Sequence, residues 1–283
     1  PSVVSVLNFF RENETVYINV QNFYGRIAHT RVPFDDYMRI NEEAMASVAR
    51  AAQKFDDTKP YVVSGAGDLG GLLPMNTPHY PMGSAEWYPE NAYTIARVSD
   101  HVSRWPWKRD KPWYVPESTF AGELGLATYA IGDDAYRGQE AALYGKAAFQ
   151  RMLFGGYRWT GVAGWSCCGN LSQFPVVQDM LSDLAAIPRR QTSRLYAGRE
   201  NTLLFKIMND TFSSEPVTFE WSYAVNGERI AGETVSMEIL PGFGREHAIA
   251  ITPPATDTRR EGQLSLRVTQ PGAQPYVETR QVP

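Results

Sequence analysis

The chain has 283 residues, 43% of them apolar and 20% charged, with a formal net charge of −4. That balance describes a folded protein of one large or two ordinary domains and excludes a disordered chain. The acidic surplus and the lack of any Lys or Arg run argue against a nucleic-acid partner, and no stretch approaches the roughly 18 apolar residues that a membrane span needs.

In chain order, Pro1 leads at once into an apolar run, and Val3 to Phe10 is predicted as a strand buried on both faces. Such an abrupt start suggests a chain cut inside a domain. Arg11-Glu12-Asn13-Glu14 closes that strand with two acids and an amide. From Phe34 to Phe55, the positions Phe34, Met38, Met45, Val48, Ala52 and Phe55 recur at helical spacing, with Asp35 and Asp36 in the first turn. Tyr61 to Gly65 reads as a short strand, followed by a Gly- and Pro-rich loop, 66–82, that holds Asn76, His79 and Tyr80. A helix is expected from Pro89 to Arg104, then a buried strand ending on Glu117. The remaining expectations in this half are a helix from Gln139 to Phe154, a strand across Gly156 to Trp165, and a helix from Val176 to Ala186.

Alternating strands and helices with strongly apolar strands imply a parallel sheet of about five strands over residues 1–188. Past Pro188 the pattern changes. Val217, Phe219, Trp221, Tyr223 and Val225 alternate with polar or small residues and run into Asn226-Gly227, a hairpin turn signal. Val235, Met237 and Ile239, the Pro241-Gly242 turn, and Leu264, Leu266 and Val268 continue in the same way. Residues 189–283 are therefore expected to form an immunoglobulin-like β-sandwich.

Two acids at the carboxyl ends of buried strands are what cleavage of a glycosidic bond requires: one protonates the leaving oxygen, the other attacks the sugar. Glu117 ends the Trp113–Pro116 stem. Glu14, with Glu12 as the alternative, ends the first strand. Asn13 beside Glu14 suits a hydrogen bond to the hydroxyl next to the reacting carbon. Glu123 is the weaker candidate, lying past the strand in a Gly-rich loop. Trp165 gives a flat apolar floor, and His79 suits either a sugar hydroxyl or a structural place in its loop. Six of the seven tryptophans fall between Trp87 and Trp165, a clustering that fits sugar stacking and a filled core equally. His29, His79, His101 and His247 have no ligand-like spacing, so neither a metal site nor a redox cofactor is expected. The adjacent Cys167 and Cys168 are either two buried thiols or a strained vicinal disulfide.

The order Asn13-Glu14, Lys59-Pro60, His79-Tyr80-Pro81, Lys111-Pro112 to Glu117, and Trp165 resembles the carboxyl half of a clan A glycoside hydrolase barrel, nearest the β-galactosidase, β-glucuronidase and β-mannosidase group (glycoside hydrolase family two). The resemblance covers most of residues 1–170. It implies the C-terminal part of a (β/α)8 TIM barrel, about strands 4–8, and a retaining enzyme acting on a β-galactoside or related glycan. By the same resemblance Glu14 is the acid/base, Glu117 the nucleophile, Tyr80 a partner of the nucleophile, and Trp165 a wall of the sugar subsite. The family reaches Asn-Glu about three residues sooner than this chain, where Asn8, Phe9 and Phe10 stand instead. An extended or bulged strand accommodates the difference; loss of the acid/base is the other reading. The expected partners are a carbohydrate substrate and the segment supplying the first barrel strands, either an N-terminal part of the same enzyme or a companion chain. A secreted or periplasmic location is expected over a cytoplasmic one. Two competing readings are a degenerate barrel that holds glycan without cleaving it and a scaffold half of a larger assembly.

Overall fold

A computed structural model describes residues 6–9, 16–19, 34–58, 60–64, 68–77, 110–115, 134, 136–165, 174–189 and 194–282. They fall into two compact units. The first takes the described residues up to 115 together with 162–165, and the second takes 134, 136–161 and everything from 174 onward.

In the first unit, β1 (Val6–Phe9) pairs antiparallel with β2 (Val16–Asn19), and β2 pairs parallel with β3 (Tyr61–Ser64). The expectation of a parallel sheet throughout is corrected here. Only residues 10–15 join β1 to β2, and a parallel crossover needs roughly a dozen residues or more. The β2 strand itself was not expected, although Val16-Tyr17-Ile18 is a β-branched and aromatic run. Between β2 and β3 comes α1 (Phe34–Gln53), whose Met45, Ala46 and Ala49 are buried. Phe55, expected on that apolar stripe, lies past the helix end and is 92% exposed. The Tyr61 hydroxyl reaches back to the carbonyls of Ala52 and Asp56, so the strand's first side chain closes the helix's last turn.

The same unit contains a second parallel arrangement. β4 (Tyr114–Val115) pairs with β5 (Gly164–Trp165), and Asn76 bridges to Trp113 on the other side of β4. These strands form a three-stranded and a two-stranded sheet, which do not by themselves make up half of a barrel.

The second unit is mostly strand. β6 (Leu184–Pro188), β7 (Asn201–Asn209) and β10 (Phe243–Ile251) form one antiparallel sheet in the order β10-β7-β6. β8 (Val217–Val225), β9 (Glu228–Met237), β11 (Gly262–Thr269) and β12 (Tyr276–Val282) form the other, in the order β12-β11-β8-β9. Seven antiparallel strands in two sheets make a sandwich, six of them within the expected 189–283 and β6 just before it. The rings of Phe205 on β7 and Phe219 on β8 meet in its core, centroids 6.2 Å apart. Asn226 and Gly227 take positive φ at the β8–β9 turn, as the hairpin signal predicts.

Two expectations are corrected in this unit. The helix α2 runs from Gln139 to Thr160, so Gly156–Thr160 is helical and not strand. The helix expected up to Ala186 is short: α3 (Pro175–Gln178) and one 3₁₀ turn end at Leu181, and Leu184–Pro188 is strand β6. α2 belongs with the sandwich. Arg158 reaches the Met180 carbonyl at 2.9 Å and Asp210 at 2.8 Å, and the Lys206 ammonium meets the Trp159 carbonyl at 2.6 Å. A cation at the carboxyl end of a helix also complements its dipole.

Candidate functional site

The strand edge built by Asn76, β4 and β5 is the candidate site. Trp113 and Val115 are fully buried, and Pro116, which has no N–H to give a ladder, follows Val115 directly. The Asn76 N–H donates to the Pro112 carbonyl and the Tyr114 N–H donates back to the Asn76 carbonyl, both at 2.9 Å. The Ala163 N–H donates to the Trp113 carbonyl at 2.8 Å on the other side. At the amino end of β4, Lys111 binds the Asp68 carboxylate at 2.6 Å and the Leu73 carbonyl at 3.1 Å, which pins the 68–77 loop to the strand. Gly164 leaves room for Tyr114: a Cβ there would sit 3.0 Å from the ring.

Asn76, β4 and β5 run in the same direction, so their carboxyl ends lie at one end of the sheet. Pro78-His79-Tyr80 follows Thr77, Pro116-Glu117 follows Val115, and Ser166 follows Trp165. Tyr80 and Glu117 stand equally far along the chain from the Asn76–Trp113 bridge. Trp165 is half-buried and pairs with Val115 in register. Asn13, Glu14, His79, Tyr80 and Glu117 lie outside the described residues, as do Glu12 and Glu123. Sequence reasoning missed the Lys111–Asp68 pair. The Lys-Pro step before a strand was its only signal.

A second cluster of ionisable groups lies in the other unit, where α2 meets β12. Arg151 donates to one oxygen of Glu278 at 2.5 Å, Arg280 reaches both oxygens at 2.8 and 2.9 Å, and the Tyr276 hydroxyl donates to the second oxygen. Burial alone would raise the Glu278 carboxyl. The Arg280 and Arg151 charges, with hydrogen bonds from Arg280 and Tyr276, outweigh it and hold the group below the usual carboxylate range. Burial pushes the Tyr276 phenol far up, and the Glu278 charge adds to it. Asp179 is raised by burial and by Glu278, against the pull of Arg151 and Arg280. Donors engage both oxygens of Glu278, which is only 7% exposed, and the cluster reads as a structural clamp. Among the described residues no group of three His, Cys, Asp or Glu is placed to hold a metal ion. No described helix is long and apolar enough to cross a membrane.

No protein-family model matches the chain, and no curated protein matches it. Solved structures that match include a putative beta-galactosidase from Bacteroides fragilis, at 10% identity and TM-score 0.26, covering 35% of this chain and 15% of that one. A beta-glucuronidase of Parabacteroides merdae matches at 17% identity and TM-score 0.27, over 35% of this chain and 13% of its own. Spo0M, a sporulation control protein of Bacillus subtilis, matches at 11% identity and TM-score 0.24, over 36% of this chain and 48% of its own. The chain thus spans a small part of each of the first two of these proteins. Glycosidases are among the structural neighbours, and at these TM-scores the likeness carries no argument about activity.

Proposed function

We propose that this chain carries the two catalytic carboxylates of a retaining β-glycosidase acting on a β-galactoside or related glycan. The observation that supports the reading is the parallel register of Asn76, β4 and β5: Trp165 closes β5, and His79-Tyr80 and Glu117 come next in the sequence after the other two segments. In this reading Glu117 attacks the anomeric carbon while Glu14 gives its proton to the leaving oxygen, breaking the glycosidic bond and leaving a glycosyl ester on Glu117. Glu14 then takes a proton from water, whose oxygen attacks the anomeric carbon and releases Glu117. Asn13 holds the neighbouring sugar hydroxyl, Tyr80 orients Glu117, His79 binds a sugar hydroxyl, and Trp165 stacks beneath the ring. Double displacement calls for carboxyls about 5–5.5 Å apart. The role of Glu14 rests on the sequence resemblance, since β1 and β2 pair antiparallel on either side of it.

The test is hydrolysis of aryl β-glycosides by the complete protein, its Glu117→Gln variant and its Glu14→Gln variant. Loss of the general acid should slow poorly activated substrates about 10²–10⁴-fold. A dinitrophenyl leaving group, which needs no proton, should restore the first step in Glu14→Gln and leave Glu117→Gln inactive. Wild-type rates in both variants would remove the proposal.

A further inference from the structure

The sandwich carries an open groove of about 480 Å³ that the strand-edge chemistry does not use. Its volume falls within the range of ligand sites, roughly 300–1,000 Å³. Two loops and the end of β8 wall it: 194–197 before β7, 253–260 between β10 and β11, and Tyr223 with Val225. The loops are tied together. The Gly198 N–H donates to the Pro253 carbonyl at 2.9 Å, and a Cβ on Gly198 would come within 3.3 Å of that of Ala255. The Tyr196 backbone is clasped by the Asn201 side chain, which accepts its N–H at 2.7 Å and donates to its carbonyl at 3.0 Å. Gly262 lets the Tyr223 ring lie across the β11 backbone, where any Cβ would collide with it. The groove is therefore set before a ligand arrives, which lowers the entropic cost of binding.

Its chemistry is of two kinds. Tyr196, 69% exposed, presents a flat ring, the surface on which the C–H face of a sugar packs. Arg194, Arg259 and Arg260 are exposed on the lining, against the single carboxylate of Asp257. Among the described residues none of the three forms an ion pair. A planar guanidinium matches carboxylate or sulfate with two parallel hydrogen bonds. A neutral glycan would leave these donors to water alone. We propose that this groove binds an anionic saccharide, one whose rings carry carboxylate or sulfate groups. The net negative charge of the whole chain works against a nucleic acid as the alternative polyanion. The inference concerns the sandwich alone and stands whether or not Glu117 cleaves a bond.

Titration calorimetry of the full chain tests it, using the Glu117→Gln variant so that no probe is consumed. The probes are a hexagalacturonate, a chondroitin sulfate hexasaccharide and neutral cellohexaose. At least one anionic probe should bind with Kd below 1 mM and at least tenfold tighter than cellohexaose, and which of the two does so separates uronate from sulfate recognition. Arg259→Gln combined with Arg260→Gln, and separately Tyr196→Ala, should each weaken that binding at least tenfold. As a check that needs no groove variant, the ligand should slow backbone hydrogen exchange in 194–200 and 253–260. The proposal falls if neither anionic probe binds, if cellohexaose binds equally well, if exchange in both loops is unchanged, or if inorganic sulfate competes as well as the saccharide. An oligonucleotide that binds more tightly than either saccharide would overturn it too.

Discussion

Glu278 is a carboxylate carried into the sandwich with its countercharges already in place. Replacing it by Gln keeps the shape and leaves Arg151 and Arg280 facing each other without an anion, a change expected to cost about 3–5 kcal/mol in chemical denaturation. The pH dependence has a definite sign. A carboxyl held low in the folded state stabilises above its unfolded value, and that stabilisation is lost as pH falls through the lower folded value. Asp179, raised by burial, works in the opposite sense, so both proteins are compared in an Asp179→Asn background. Between pH 5 and pH 2 the melting temperature should then fall more steeply with Glu278 present than with Gln in its place. Equal slopes would mean that folding leaves the Glu278 carboxyl unshifted. Nothing local announces this cluster, because Arg151 and Glu278 are 127 positions apart.

Some elements are legible because local chemistry and tertiary environment agree. The alternation of β8 matches its burial, and Asn226-Gly227 has the positive φ values that its turn demands. Others are hidden because the environment is unusual. The inward face of β12 carries Glu278 along with Tyr276 and Val282, while Val277 is 58% exposed, so its apolar alternation is broken. The second half of α2 is buried on all sides from Met152 to Thr160, which erases the helical period and imitates a buried strand. Its stop signal is Gly161, left-handed at φ 81, whose N–H meets the carbonyls of Arg158 and Tyr157. Gly161→Ala should lower stability by about 1–2 kcal/mol, read as a shift in the urea midpoint with an unchanged slope. No shift would mean that α2 ends by packing alone.

For the molecule as a whole, the sandwich was readable from its strand period and turns. The parallel edge that underlies the candidate site was readable in part, from the apolar stem before Glu117 and from Trp165. The antiparallel β1–β2 pair was not, since the Val3–Phe10 run gives no sign of its neighbour's direction. Nor was the allegiance of α2, which the alternation of strand and helix assigns to the β4–β5 unit. Amide exchange measures that allegiance. The amides of Met152 to Thr160 should open with β8 and β11, at the same free energy, and not with Tyr114–Val115. Exchange of the helix in step with β4 would contradict it.

The allegiance of α2 also sets an order of events on the ribosome. Gln139–Thr160 is synthesised well before Lys206, Asp210 and Glu278, the residues that hold it. At 5–20 residues per second, the strands from β7 to β12 follow over roughly ten seconds. Throughout that interval Leu153, Phe154, Tyr157 and Trp159 wait on a nascent helix whose bed has not yet been made. The half-translated chain is then at its stickiest, and a chaperone that shelters this one segment would do most to protect it.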